Sequence, residues 1–270
     1  MNVKCANCGG VNLLADEVCK VCGAELHYQP PSWPVNHVIK PFTGAGELIG
    51  TTLSVCKDNF WLITKIVFVV MAPFEVFRVL SQDRINDDPE LAVGLVALQI
   101  FCNVLIVPTL FYALVKVMET GVAAGINEAY RFGASKIPKL AIAAFVSWVV
   151  TLFGFMLCII PGFFAAMVLY LVFPVAVLER GSALDSLRRS YELTEGRRWT
   201  ILGASLALAL VLMVMAIPGW SVSGILVLNG IRFWPLEAAA AIVVDIVMEA
   251  GTVMTLVVYL SIMRALESGK

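Results

Sequence analysis

From Phe60 onward the chain alternates between long apolar runs and short charged connections. Six runs approach or exceed the roughly 20 residues that a helix needs to cross about 30 Å of hydrocarbon. They predict spanning helices at about Phe60–Leu80, Leu91–Val117, Ile137–Leu157, Phe163–Leu178, Trp199–Ile217 and Leu236–Met263. Between the third and fourth, Ile159-Ile160-Pro161-Gly162 predicts a tight turn. Residues 218–235 are apolar but broken by Gly219, Gly224, Gly230 and Pro235. Too short to span, they predict an outer-face loop or interfacial helix rather than a re-entrant hairpin. Gly203 and Ala207 offer a small-xxx-small surface on the fifth run.

A different periodicity precedes three of the runs. Leu48, Ile49, Thr52, Val55 and Cys56 fall on one helical stripe, as do Val122, Ile126, Ala129, Tyr130, Gly133 and Ile137. In the third segment Leu184, Leu187 and Tyr191 line one face, opposite Asp185, Arg188, Arg189 and Glu192. Ser182 with Asp185 predicts a capping box, and Gly196 is placed to end that helix. Amphipathic helices of this kind lie along the headgroup boundary with the apolar face down. The membrane part therefore reads as three units, each a surface helix followed by a helical hairpin.

Composition sharpens the picture. The chain is 60% hydrophobic and 14% charged, against about 45–50% and about 25% in soluble domains. The expectation is an all-α polytopic membrane protein with six transmembrane helices, cytoplasmic amphipathic helices and a small N-terminal zinc ribbon. The domains are residues 1–26 (zinc ribbon), 27–43 (Pro-rich linker) and 44–270 (six-span domain). With the N-terminus inside, fifteen Lys and Arg fall in cytoplasmic segments and only Arg78, Arg84 and Arg232 outside. Basic residues stay on the cytoplasmic side, so both termini are expected there. The first 25 residues hold no apolar core of a signal peptide. A net charge of −1 leaves no electrostatic footprint for nucleic acid.

Cys5, Cys8, Cys19 and Cys22 form C-x2-C-x10-C-x2-C. Each pair can grip one edge of a metal, and four thiolates close a tetrahedral Zn²⁺ site with no open position, so the zinc is structural. Gly9 and Gly23 follow the second Cys of each pair, where a tight turn needs positive φ. Two disulfides are the alternative, which a reducing cytoplasm disfavours. Pro30, Pro31, Pro34 and Pro41 make residues 27–43 an extended spacer, and His27 a linker residue. Cys56, Cys102 and Cys158 read as packing residues.

The segment carrying the four cysteines resembles the short zinc ribbons found at the start of many bacterial membrane proteins. Pro161, Gly162, Pro174, Glu179, Ser190, Leu193, Gly196 and Trp199 form a second pattern. It resembles the membrane domain attached to some bacterial glycerophosphodiester phosphodiesterases, and related six-span families of unknown function. The resemblance implies a fold and a bacterial inner (cytoplasmic) membrane. It implies no activity, because the catalytic domain of the fused members has no counterpart in this sequence.

Asp245 and Glu249 stand mid-way along the sixth run, four residues apart and on one face, continued by Thr252. Each acid opposes insertion by about 2.5–3.5 kcal/mol, so both should face the bundle interior. Lys65, Lys116 and Arg78 are the candidate partners, Lys65 completing a candidate intramembrane polar site with the two acids. Glu75 and Arg78 share a face and can pair, and Gln99 and Asn103 form a weaker polar face on the second run. No catalytic motif occurs, and both histidines lie in the linker.

Two functions follow. One is a non-enzymatic scaffold or accessory factor that contacts lipid, with the zinc module binding a cytoplasmic protein. The other is a small transporter or channel using Asp245 and Glu249. A transporter needs a polar cavity reaching those acids, whereas a scaffold buries them in packed side chains. A homo-oligomer is compatible with both.

Overall fold

The computed structural model describes residues 2–4, 11–13, 21–23, 39, 41–85, 88–228 and 233–268. Two short strands, β1 (Asn2–Lys4) and β2 (Val11–Leu13), pair antiparallel with Val3 opposite Asn12. The helices are α1 (Ala45–Asp58), α2 (Phe60–Leu80), α3 (Gln82–Ile85), α4 (Pro89–Thr120) and α5 (Ile126–Leu157). They continue with α6 (Ile159–Val168), α7 (Val172–Leu178), α8 (Ala183–Thr194), α9 (Arg198–Leu228) and α10 (Trp234–Ser268). Six stretches are long and apolar enough to cross a membrane: α2, α4, α5, α6 with α7, residues 198–219 of α9, and α10 up to residue 266.

Several boundaries differ from expectation. The second amphipathic stripe is not a separate surface helix. It is the first part of the 32-residue α5, which runs on through Pro138 rather than ending there. The turn between the third and fourth spans falls at Cys158, whose φ of −173° and ψ of 157° are extended. Pro161 and Gly162 lie just beyond it in the first turn of α6, where a missing N–H costs nothing. Residues 218–228 are not a loop; α9 runs through Pro218 to Leu228. Gly203 and Ala207 face outward, and Ile201, Ala204, Leu208 and Leu212 are the buried stripe of α9.

The fourth span is itself broken. Leu169 to Leu171 leave the helical ladder and make tighter bonds, Tyr170 N to Met167 O and Val172 N to Leu169 O. Pro174 explains the position, since its ring clashes with the carbonyl of residue 170 in a continuous helix. Ser190 of α8 repairs the break. Its hydroxyl donates to Val168 O at 2.7 Å and accepts from Leu171 N at 3.1 Å.

The bundle has two unlike ends. At the proximal end sit α1, α8, the start of α2 and the last third of α10. Here Leu110, Phe111, Leu114, Ile66, Leu171, Leu256 and Tyr259 are essentially fully buried. At the distal end Trp148, Phe153, Met156, Leu157 and Ile160 are exposed, with Leu157 at 80%. Glycines hold the distal α5–α6 hairpin together. A Cβ on Gly154 would sit 2.9 Å from the Gly162 Cα.

The amphipathic faces of α1 and α8 are spent on protein. Leu48, Thr52 and Val55 of α1 are buried in the core it shares with α9 and α10. In α8 the buried residues are Ala183, Ser186, Ser190, Leu193 and Thr194. Leu184 and Tyr191, expected on the buried face, are exposed. Small hydroxyl residues replace them because α8 must approach the backbone break in the fourth span. The last linker residues are also docked rather than free: Ile39 is buried, its carbonyl accepts from Arg264, and Phe42 N donates to Ser261 Oγ at 3.0 Å.

Candidate functional site

In the distal half a cleft of about 450 Å³ opens between α2, α4, α9 and α10. Glu75, Arg78, Gln99, Gly219, Ala241, Val244 and Asp245 line it. The first two residues belong to the last turns of α2, and three residues of spacing puts them on one face. Arg78 Nη2 lies 2.6 Å from Glu75 Oε2, and Nε donates to the same oxygen at 2.8 Å. The Glu75 side chain is only 3% exposed. The guanidinium thus neutralises a buried carboxylate with two charge-assisted bonds and keeps its Nη1 edge unspent.

Asp245 reaches the cleft from α10, and its Oδ2 is buried with no hydrogen-bond partner among the described residues. A buried carboxylate oxygen left without a donor is costly. Glycine makes the wall that brings α9 close. A Cβ on Gly219 would lie 2.6 Å from Val244 Cγ2, so the glycine read as a chain breaker is a close-packing position. Gln99 supplies an amide from α4, while Asn103 is exposed on the outside of the same helix.

The predicted polar group is therefore brought together only in part. Glu249 is one turn further along α10, outside the cleft lining, with its Oε2 buried and unbonded. Lys65 is exposed on α2 and does not line the cleft. Lys116 is engaged elsewhere, 2.5 Å from Glu128 Oε2 at the proximal end. Glu128 also accepts from the Tyr112 hydroxyl, and Tyr112 stacks on Phe132 at 4.5 Å. Of the three candidate cations, Arg78 lines the cleft with Asp245 of α10, and Lys65 and Lys116 do not. The pairing of Glu75 with Arg78 was readable from spacing; the convergence of Gln99 and Asp245 on that pair needs tertiary packing.

Of the second sequence pattern, Pro174, Glu179, Ser190 and Leu193 lie on α7, α8 and their junction and Gly196 just after α8, while Pro161 and Gly162 sit at the distal α5–α6 turn. Glu179 accepts from the Tyr259 hydroxyl at 3.0 Å and lies 3.5 Å from Arg189 Nε. Lys139 of α5 donates to the Glu179 carbonyl at 3.0 Å. Gly196 has φ +75°, the left-handed stop after α8. Ser182 and Asp185 form the capping box, and those hydrogen bonds from Ser182 hold the Asp185 carboxyl below the usual range. Leu193 is buried and Trp199 is 78% exposed. This node ties α5, α7, α8 and α10 together.

Cys5, Cys8 and Cys19 lie outside the described residues, as does Gly9. Cys22 is exposed in a turn, and Gly23 after it has φ +69°. Cys102 is buried, but Cys158, expected to pack, is exposed at the α5–α6 turn. Burial pushes the Cys56 thiol up to about 11, which keeps it protonated and inert at neutral pH. No protein-family model, curated protein or solved structure matches this chain.

Proposed function

We propose that this is a non-enzymatic, multi-pass protein of the bacterial cytoplasmic membrane that binds a small polar solute in its distal cleft. It works in the manner of a small transporter or channel rather than an inert scaffold. One observation carries the reading: a cleft lined by charged residues reaches Asp245, whose buried oxygen lacks a donor. A scaffold that used its acids only as a packing seam would have closed side chains around both.

The cleft lies in the distal half, apart from the packed proximal core where Ile106, Leu110 and Met254 are fully buried. With basic residues holding both termini in the cytoplasm, the cleft faces the outer side. The N-terminal cysteines hold a structural zinc, and that module contacts a cytoplasmic protein. The positive φ of Gly23 after Cys22 supports such a turn. The scaffold reading keeps one supporting observation, that Glu249 is held outside the cleft among packed side chains.

The test is labelling of an Ala241→Cys variant with a charged, membrane-impermeant thiol reagent, read by peptide mass spectrometry. Right-side-out cells are compared with inverted vesicles. Labelling from the outer side alone is the expected result. No labelling of residue 241 from either side would remove the reading.

A further inference from the structure

Resting on the cleft reading above, we infer that the occupant is a zwitterion, a molecule carrying both a donor-bearing ammonium and an anionic group. Its ammonium goes to Asp245 and its anionic group to the free edge of Arg78.

Three features of the lining argue for this. First, the two poles are both present in one cavity. Arg78 spends Nε and Nη2 on Glu75 Oε2 and its guanidinium makes no other hydrogen bond to a described residue, so Nη1 remains to bind an anion. Asp245 Oδ2 has no donor, so it calls for an N–H. Second, the lining is wrong for a bare metal cation. Hard cations collect six or more oxygens, and among the described residues this cleft offers Asp245 and the Gln99 amide, with one Glu75 oxygen already taken and a guanidinium beside them. Third, the remaining wall among the described residues is Gly219, Ala241 and Val244, apolar and small. At about 450 Å³ the cleft is in the size range of small-molecule pockets and larger than a few waters need.

Two sources present that chemistry, the headgroup of an aminophospholipid and a free small zwitterion. The experiment separates them with the full-length protein. Vesicles of equal phosphatidylethanolamine and phosphatidylglycerol supply protein for native mass spectrometry of retained lipid. In parallel, O-phosphoethanolamine is tested for protection of the Ala241→Cys variant against the impermeant reagent in phosphatidylglycerol vesicles. Retention of phosphatidylethanolamine over phosphatidylglycerol by about tenfold, the scale of one charge-assisted hydrogen bond, supports the lipid source. Protection by O-phosphoethanolamine supports the free source. Either effect must vanish in Asp245→Asn and weaken in Arg78→Lys, which keeps a cation for Glu75 but loses the planar edge. Persistence of the effect in Asp245→Asn overturns the inference. Absence of both effects while residue 241 still labels also overturns it and leaves the cleft standing. Failure of residue 241 to label removes the cleft reading and this inference with it.

Discussion

The proximal and distal halves of this bundle are both rich in apolar side chains and put them to opposite uses. Around Leu110–Val115 of α4 every side chain is buried by other helices. Around Phe153–Ile160 most face outward, and the contacts that hold α5 to α6 are glycine against backbone. In water this difference would be forbidden, since the exposed half would seek burial. In a bilayer the lipid is as apolar as leucine, so helices gain by packing shape rather than by hiding from solvent. One end is built as a solid core and the other leaves room for a cleft.

The largest test of that contrast is truncation at matched sites. Phe111→Ala should lower stability by about 3–5 kcal/mol, because it opens a cavity in the solid end. Met156→Ala, at a side chain 75% exposed, should change stability by less than about 0.5 kcal/mol. Reversible unfolding in mixed micelles measures both. Equal losses would mean that the distal half is packed against something in the folded protein.

Next in size is the ion pair of the cleft. Arg78→Leu leaves the buried Glu75 carboxylate without its cation and should cost about 3–5 kcal/mol if Glu75 stays charged. Adding Glu75→Gln should recover most of that loss. A double variant no more stable than Arg78→Leu would show that the arginine supports the distal half by some route other than Glu75.

Ser190→Ala probes the seam where the two halves meet. It removes the donor to Val168 O and the acceptor for Leu171 N, at a cost of about 1–3 kcal/mol. Hydrogen exchange should rise at residues 169–172 while the proximal core at 110–115 is unaffected. Unchanged protection at Leu171 would show that its N–H finds another acceptor.

Much of this was legible in the chain, and the rest was hidden for a physical reason. The six spans follow from run length, and the Glu75–Arg78 pair from spacing of three. The Ser182–Asp185 box and the Gly196 stop follow from local rules that need no tertiary context. What could not be read is which apolar residues meet protein and which meet lipid. Leu184 and Tyr191 looked like the buried face of α8, yet Ser186 and Ser190 take that place, because the broken fourth span needs hydroxyls more than methyls. The same limit hid the cleft. Asp245 announces a polar site, but the helix that answers it is chosen by packing, and Arg78 rather than Lys65 or Lys116 was within reach.

The smallest effect sharpens the comparison at its proximal edge, where α8 begins in contact with water. Ser182→Ala removes one side-chain acceptor from the N-terminus of α8 and should cost a few tenths to about 1 kcal/mol. Its pH dependence has a definite sign. Asp185 is held below its ordinary pKa first by the Ser182 hydroxyl and then by the Ser182 backbone N–H. A depressed carboxylate stabilises the folded chain above its unfolded pKa, and that contribution is lost as pH falls through the folded value. Wild type should therefore lose α8 stability on acidification below about pH 4, near the unfolded pKa. Asp185→Asn should start less stable at neutral pH and show a flatter profile through the same window. Hydrogen exchange at Asp185 N and Ser186 N, read from pH 6 downward, measures it. A wild-type profile as flat as the variant's would mean that the cap is held by packing of Ala183 and Ser186 on α7 rather than by the carboxylate.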